Sequence, residues 1–293
     1  FVVRRTNTKI ICQIVSSTIK GDLIKAQALS TELKKYGVTA GLTNYSACYA
    51  TGLLCARRLL AKIDEENKGL EGWTNFSSKF NFVPETTGEY IDIKAEAEKK
   101  DAGRPFVCFL DLGLFRSTAG ARVFSAMKGA VDGGVHIPHS DKIFPKIKET
   151  KDAKGKVVAN KDAKNAGNPL RERIFGTHVQ KYIEILSKDK EAYQKQFSKW
   201  DKCLKDAKVA KVDDLYKKVF AEIRKNPTKA VVAKKEQKKI IRDPKNINIC
   251  TNGKHKYRRD TKLNNQQRKD RVAAKIKKFI EDRTKAATQG KKK

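Results

Sequence analysis

Apolar residues recur with two different periods near the start of the chain, and these periods predict a β-hairpin followed by a helix. Over residues 8–29 they alternate along two runs, which are separated by Lys20-Gly21-Asp22, the composition of a tight turn. From Tyr49 to Ile63 they recur every three or four positions, which is typical of an amphipathic helix. Thr43-Asn44 stands just before this stretch and favours a helix N-cap.

A further strand and helix are predicted after a polar excursion. Residues 64–104 have few periodic apolar positions and predict a surface excursion with a short strand near Tyr90–Ile93. Phe106–Leu110 is a continuous apolar run, typical of a strand buried on both faces, and because a helix precedes it we expect parallel pairing. The next helix is predicted to be capped by Ser117-Thr118 and ended by Gly133-Gly134. The predicted fold class is α/β, with a mixed sheet, a β-hairpin and crossover helices.

The second half of the chain has a different character. Apolar spacing predicts helices over residues 177–187, 190–204, 212–224 and 264–286, while residues 228–262 predict irregular structure. We therefore expect two domains. Residues 1–150 form an α/β core, and residues 151–293 form a basic, mainly helical C-terminal extension. The chain starts at Phe1 inside a predicted strand, so we expect the natural protein to have a preceding segment.

Positive charge is concentrated in this extension. The chain carries 65 Lys+Arg and 33 Asp+Glu, a net charge of +32. Residues 1–150 contribute +6 and residues 151–293 contribute +26, a density that repels itself unless an anion neutralises it. Nucleic acid is the abundant polyanion, and an acidic membrane surface is the alternative. Membrane-surface binding would require a lipid signal or a wide apolar helix face. The chain also has no apolar run of about 18 residues that would predict a membrane-spanning helix.

The cysteines and carboxylates give weaker evidence for a functional site than the positive charge does. None of the six cysteines forms a CxxC pair, and none lies near His136 and His139, so we expect buried reduced thiols, no metal and no cofactor. Asp111 follows the predicted buried strand, where ligands of α/β sheets bind. With Asp92 and Asp132 it could form the metal site of an RNA-processing nuclease, although the spacing does not demand this and a lone Asp there is as often a capping group.

Basic and hydroxyl residues around the second predicted helix suggest a phosphate site. Arg116-Ser117-Thr118, Arg122 and Lys128 could border one helix start, and helix N-termini bind phosphate. An ordinary capped surface helix is the alternative interpretation. Arg4-Arg5-Thr6-Asn7 adds phosphate ligands and an amide at the first strand.

Several strings resemble one known family, the eukaryotic large-subunit ribosomal proteins that bind 5S rRNA (universal family L eighteen, L five in eukaryotic naming). Those strings are Thr6-Asn7 with Ile10 to Ile14, Leu33 to Tyr45, Thr51 to Leu54, Ala56 to Leu60, Lys128 to Gly134, Ile137 to Ser140, Ala192 to Ser198 and Lys269 to Ala273. The resemblance covers most of residues 4–148 and, more loosely, 170–286. Residues 64–104 and 240–265 depart from the family pattern.

The resemblance implies a non-enzymatic structural protein that binds 5S rRNA and anchors it to the large rRNA in the central protuberance. Implied partners are 5S rRNA, large-subunit rRNA, a neighbouring 5S-binding ribosomal protein and other large-subunit proteins, without a membrane. Implied locations are the cytoplasmic ribosome and, during assembly, the nucleus and nucleolus. The residues that we expect on the RNA-binding surface are Arg4, Arg5, Asn7, Lys9, Arg116, Ser117, Thr118, Arg122, Lys128, His139 and Lys142.

Overall fold

The computed structural model describes nine stretches of the chain, which fall into two compact units. The described residues are 1–68, 75–145, 150–151, 157–158, 168–228, 240–242, 247–250, 256–258 and 262–290. One unit comprises Phe1–Lys229 and the other Ala230–Lys293. Within the described ranges, no helix is both long and apolar enough to cross a membrane.

The N-terminal sheet has three antiparallel strands, β1 (Val2–Arg5), β2 (Ile10–Thr18) and β3 (Gly21–Leu29), in the order β1-β2-β3. The predicted hairpin is confirmed, since β2 pairs with β3 and Cys12 lies opposite Ala28. Side chains alternate between the two faces of a strand, so Cys12 and Ala28 are both completely buried on the face that meets the first helix.

The end of the apolar run Phe106–Leu110 lies beside β1 in a parallel direction, as predicted. Isolated bridges, rather than a strand, pair Asp111 with Val2 and Val107 with His136. The Asp111 amide donates to the Phe1 carbonyl at 2.9 Å, and the Val3 amide donates to the Asp111 carbonyl at 3.3 Å. Burial on both faces is wrong, because Phe109 is 76% exposed. The run is covered on one side only, so its apolar continuity overstated its burial.

Helix α1 (Tyr45–Glu66) packs on the sheet and crosses a second long helix at very short range. The α1 prediction is confirmed, with Asn44 at the N-cap. A Cβ atom at Gly52 would overlap the Ala126 carbonyl oxygen, and one at Gly129 would overlap the Tyr49 carbonyl oxygen. The two helices therefore touch through peptide groups, and only glycine fits at either position.

The excursion contains two short helices, α2 (Phe76–Lys79) and α3 (Ile93–Lys99). The predicted strand near Tyr90–Ile93 is wrong because Ile93 begins α3. The Asp92 carboxylate caps this helix by accepting the Lys94 amide at 3.0 Å. A local N-cap thus outweighs the strand propensity of neighbouring tyrosine and isoleucine residues.

The second long helix, α4 (Arg122–Asp132), starts later than the sequence predicted. Its N-cap is Ala121, so the prediction that Ser117-Thr118 caps it is wrong. Gly120 has a φ of +77°, and its amide donates to the Ile143 carbonyl at 2.8 Å, which extends the preceding loop. Gly133 ends α4 as predicted.

Four more helices complete the first unit. They are α5 (Pro169–Phe175), α6 (Thr177–Leu186), α7 (Lys190–Asp206) and α8 (Val212–Lys225). The last three confirm the predicted helices, while α5 was not predicted. Buried residues of this set, such as Trp200 and Phe220, belong to the same hydrophobic core as the sheet and α1. The predicted boundary between two domains at residue 150 stays a prediction.

Short strands and one long helix are described in the remaining parts of the chain. The first unit also contains β4 (Thr150–Lys151) and β5 (Val157–Val158), a two-stranded antiparallel pair. The second unit contains β6 (Ile240–Arg242), β7 (Ile247–Cys250), β8 (Lys256–Arg258) and α9 (Asn265–Gly290). The prediction of a final helix is confirmed. The irregular segment predicted over 228–262 lies mostly outside the described residues, and the three strands within it were missed.

Buried thiols were predicted, and the burial is confirmed for every cysteine whose side chain is described. Those residues are Cys12, Cys48, Cys55, Cys108 and Cys203. Burial raises the pKa of each of the first four, to about 12 at Cys48 and Cys55, so these thiols remain protonated at neutral pH.

Candidate nucleic-acid interface

A cleft of about 530 Å³ in the first unit gathers four arginines. We call it the arginine cleft, and its lining residues are Arg5, Asn44, Tyr45, Phe115, Arg116, Thr118, Gly120, Ala121, Arg122, Val123, Arg173, His178 and Val179. This lining contains no Asp or Glu. Four guanidinium groups without a carboxylate repel one another, so an anionic ligand stabilises the cleft more than a neutral one does.

Three separate parts of the chain deliver these arginines. Arg5 ends β1, and Arg173 lies near the end of α5. Arg116, in the loop after the Phe106–Leu110 run, and Arg122, at the start of α4, come from the third part. This loop is shaped at its start by the Asp111 carboxylate, which accepts the Gly113 amide at 2.8 Å. The fold therefore assembles the cleft from residues far apart in sequence.

Contacts within the cleft orient two of the four guanidinium groups. Arg5 lies over the ring of Phe115, with its guanidinium carbon 5.0 Å from the ring centroid. The Arg122 guanidinium donates to the Thr43 carbonyl at 2.9 Å, at the start of α1. Neither contact neutralises the charge, so both groups keep donors and charge for an external acceptor.

The start of α4 adds a further positive contribution. No side chain caps this helix and no acidic residue lies in its first turn. The first amides of a helix lack partners within it and carry about half a positive charge together. Phosphate oxygens satisfy such amides well, and arginine pairs with phosphate through two parallel hydrogen bonds.

The structure brings together four of the residues that the sequence predicted for RNA, namely Arg5, Arg116, Thr118 and Arg122, all of which line the arginine cleft. Ser117 is exposed in the same loop. Asn7 is exposed and Lys9 is half-buried in the turn between β1 and β2. Lys142 is exposed in a short 3₁₀ helix over Asp141–Ile143. The RNA contacts of all these residues stay predictions.

Arg4 lies on β1 beside the cleft residues but has a protein partner. Its guanidinium pairs with the Asp111 carboxylate at 2.7 Å, and this hydrogen bond holds the pKa of Asp111 below its usual range. Both side chains are about half exposed, so water screens the pair and it contributes little to stability.

Lys128 cannot belong to an RNA-binding surface, because its side chain is completely buried. Its ammonium group pairs with the Asp132 carboxylate one turn later in α4. The other oxygen of Asp132 accepts the Tyr49 hydroxyl at 2.6 Å. Burial raises the pKa of Tyr49, which keeps this hydroxyl protonated and donating. The expectation of a surface lysine is wrong because α4 is covered on nearly all sides.

His139 is half-buried between the rings of Tyr90 and Phe144, at centroid distances of 5.2 and 5.5 Å. Its Nδ1 lies 2.6 Å from the Ile137 carbonyl oxygen. Burial lowers the pKa of His139, so the ring is neutral at physiological pH and contributes no positive charge to an RNA surface there.

Two basic cleft residues were missed by sequence reasoning, Arg173 on α5 and His178 in the first turn of α6. The start of α5 carries a readable pattern, an Asn168 N-cap followed by Pro169 at the first helical position. That pattern predicts the helix, but not that Arg173 lines the same cleft as Arg5.

The three carboxylates proposed for a nuclease site have separate roles. Asp111 pairs with Arg4, Asp132 is buried with Lys128, and Asp92 caps α3 with His136 Nδ1 at 3.4 Å. In the described ranges, no three His, Cys, Asp or Glu side chains converge on a point where they could hold a metal ion. The assembled carboxylate site that the nuclease alternative requires is therefore contradicted.

Comparisons with known proteins agree on one family. The family described as "Ribosomal large subunit proteins 60S L5, and 50S L18" matches residues 1–140, and the one described as "Ribosomal L18 C-terminal region" matches residues 212–281. Relatives named large ribosomal subunit protein uL18 are 42% identical in Tetrahymena thermophila over 276 residues and 42% in Saccharomyces cerevisiae over 280 residues. These alignments cover 94% of this chain and 81% and 80% of the relatives.

Proposed function

Because the chain belongs to the family of ribosomal large subunit proteins 60S L5 and 50S L18, we propose that it binds 5S rRNA and anchors it to the large rRNA in the central protuberance. The family's members are structural components of the large subunit and not enzymes. The protein accordingly works in the ribosome of the cytoplasm, among rRNA and other ribosomal proteins. Its neighbour in our proposal is a second 5S-binding ribosomal protein, and assembly takes place in the nucleus and nucleolus.

The observation that carries the proposal is the arginine cleft. Folded RNA is recognised mainly through its shape, its 2′-hydroxyl groups and its phosphates. Four arginines with no lining carboxylate, set around an uncapped helix start, favour phosphate over any neutral ligand. The Arg122 guanidinium is oriented on one side of the cleft by the Thr43 carbonyl just before α1.

The basic C-terminal extension supplies a second, less specific contribution. Residues 151–293 carry a net charge of +26, which favours rRNA through counterion release. We propose that the second unit runs over rRNA grooves, whereas the first unit selects the RNA. Selectivity and total affinity would then reside in different parts of the chain.

The cleft is tested by removing two exposed arginines, Arg116→Gln with Arg173→Gln, from the full chain. If each neutralises one phosphate, the slope of log K for 5S rRNA against log salt becomes shallower by about 1.4–1.8. We expect the affinity near physiological salt to fall at least about tenfold. Filter binding across a salt series measures both quantities.

The matched control is Lys195→Gln with Lys199→Gln, which removes the same charge from exposed positions on α7. We expect this control to weaken binding less than about threefold. Equal losses in the two double variants would show that the protein acts only as a polycation. A transfer RNA that binds the parent chain as tightly as 5S rRNA would contradict the choice of 5S rRNA instead, and would leave the cleft itself intact.

A further inference from the structure

A second cleft of about 340 Å³ lies between the loop at residues 84–86 and helices α5 and α8. We call it the Arg224 cleft, and its lining residues are Pro84, Glu85, Thr86, Arg171, Phe175, Lys217, Phe220, Ala221 and Arg224. None of these residues lines the arginine cleft. The second cleft is thus a separate place at which a ligand can meet the first unit.

The guanidinium of Arg224 is only partly satisfied in this cleft. Its Nη1 donates to the Thr86 hydroxyl at 3.1 Å. Its Nε and Nη2 are shielded from water and have no hydrogen-bond acceptor among the described residues. These two nitrogens lie along one edge of the guanidinium, the edge that binds both oxygens of a carboxylate side-on. Leaving two charged donors buried without acceptors costs free energy, so this edge favours an external acceptor.

A neighbouring arginine, Arg57, adds positive charge beside Arg224. Arg57 donates through Nη1 to the Ser77 carbonyl at 2.8 Å, while its Nε is also shielded and lacks an acceptor. Burial lowers the pKa of Arg57, and the positive charge of Arg224 lowers it further. Asp64 opposes this effect, but its carboxylate already accepts the amides of Phe76 and Ser77. Positive charge is therefore undercompensated at this side of the unit.

The walls of the Arg224 cleft combine exposed charge with apolar surface. Arg171 and Lys217 are exposed cations at the cleft, and Glu85 is the one carboxylate of its lining. Lys217 also pairs with Asp214, at 3.3 Å, outside the lining. Phe175 and Phe220 are buried beneath them, and Arg171 lies over the Phe175 ring at 5.8 Å. Such a site fits a ligand that has an anionic head beside an apolar body.

We propose that the Arg224 cleft is a docking site for an acidic segment of a neighbouring protein. An Asp or Glu carboxylate of this segment binds the Nε and Nη2 edge of Arg224, and an adjacent apolar side chain packs toward Phe175 and Phe220. The ligand reaches Arg224 through the cleft that this residue lines. A phosphodiester fits less well than a peptide because the apolar floor offers it no polar partner.

The probe is a fluorescein-labelled peptide, acetyl-Gly-Glu-Phe-Glu-Gly-amide, and its control has Gln in place of both Glu residues. Fluorescence anisotropy with the full chain at about 0.15 M salt measures their binding. We expect the Glu peptide to bind at least about tenfold more tightly than the Gln peptide. Arg171→Glu with Lys217→Glu should abolish that preference. Arg224→Lys should abolish it as well, because lysine keeps the charge but lacks the paired Nε and Nη2 donors.

The matched control is Lys218→Glu with Lys225→Glu, two exposed positions of α8 outside the cleft lining with the same change in charge. The Glu peptide should keep its affinity for this variant within about threefold. Equal losses in both double variants would overturn the proposal, as would equal binding of the Glu and Gln peptides. A short RNA that displaces the peptide, and that itself loses affinity only in the cleft variant, would also overturn it in favour of a phosphate ligand.

Discussion

Replacing Lys128 with methionine tests whether the buried ion pair of α4 stabilises the fold. The Lys128 and Asp132 side chains are 0% and 1% exposed, so the change leaves a carboxylate buried without its counter-charge. Removing one partner of a buried pair destabilises a protein by about 3–5 kcal/mol. Since about 1 kcal/mol shifts the Tm of a unit of this size by about 2–4 °C, the Tm should fall by about 6–20 °C.

A double variant separates the loss of the pair from the loss of packing. In Lys128→Met with Asp132→Leu, no charge remains buried, and apolar residues of similar volume often replace such pairs at little loss of stability. Tyr49 then loses the nearer of its two hydroxyl acceptors and keeps only the Thr86 hydroxyl, at 3.3 Å. We therefore expect the double variant to recover most of the stability and to remain about 1 kcal/mol below the parent chain.

Urea unfolding followed by circular dichroism measures both variants, with Lys218→Met at an exposed position of α8 as the control. The control should change the free energy of unfolding by less than about 0.5 kcal/mol. A Lys128→Met variant that behaves like this control, and that loses RNA affinity without losing stability, would refute the burial argument and restore Lys128 to the surface.

Two further predictions concern the helix crossing and the buried imidazole. Gly129→Ala forces a methyl group against the Tyr49 carbonyl, so it should destabilise the protein by about 1–3 kcal/mol in a urea titration, whereas a gain in stability would contradict the close crossing. Burial lowers the pKa of His139 in the folded state, so the unfolded chain binds more protons once the pH falls below about 6.5. The free energy of unfolding therefore decreases as the pH falls through this range. His139→Phe should therefore show a smaller decrease in Tm between about pH 7 and pH 5 than the parent chain, and an equal decrease would contradict this assignment.

Much of the fold was predictable because it depends on local patterns. The alternation in β2 and β3 and the helical spacing in α1, α6, α7 and α8 reflect which face of each element is buried. The same patterns failed where burial depends on distant parts of the chain. Phe109 has an apolar neighbourhood in sequence but no covering layer, so it is exposed despite its composition.

The candidate site was only partly predictable for a similar reason. Arg116 and Arg122 stand close in sequence, and their pairing was anticipated as a phosphate site. Arg173 joins them only because α5 packs against the start of α1, where the Ser46 hydroxyl donates to the Arg173 carbonyl at 3.0 Å. Lys128 is equally basic and equally near in sequence, yet its place on a covered helix removes it from the surface.

The crossing of α1 and α4 makes the placement of charge depend on two residues that carry none. At Gly52 and Gly129 the backbones touch directly, so α4 has little freedom to slide or roll against α1. Arg122 stands at the first position of α4, and its guanidinium is held by Thr43 just ahead of α1. A methyl group at either glycine would displace this arginine from its neighbours in the cleft. Besides its loss of stability, we expect a variant at the crossing to lose anion binding at the cleft, at a distance from the residue changed.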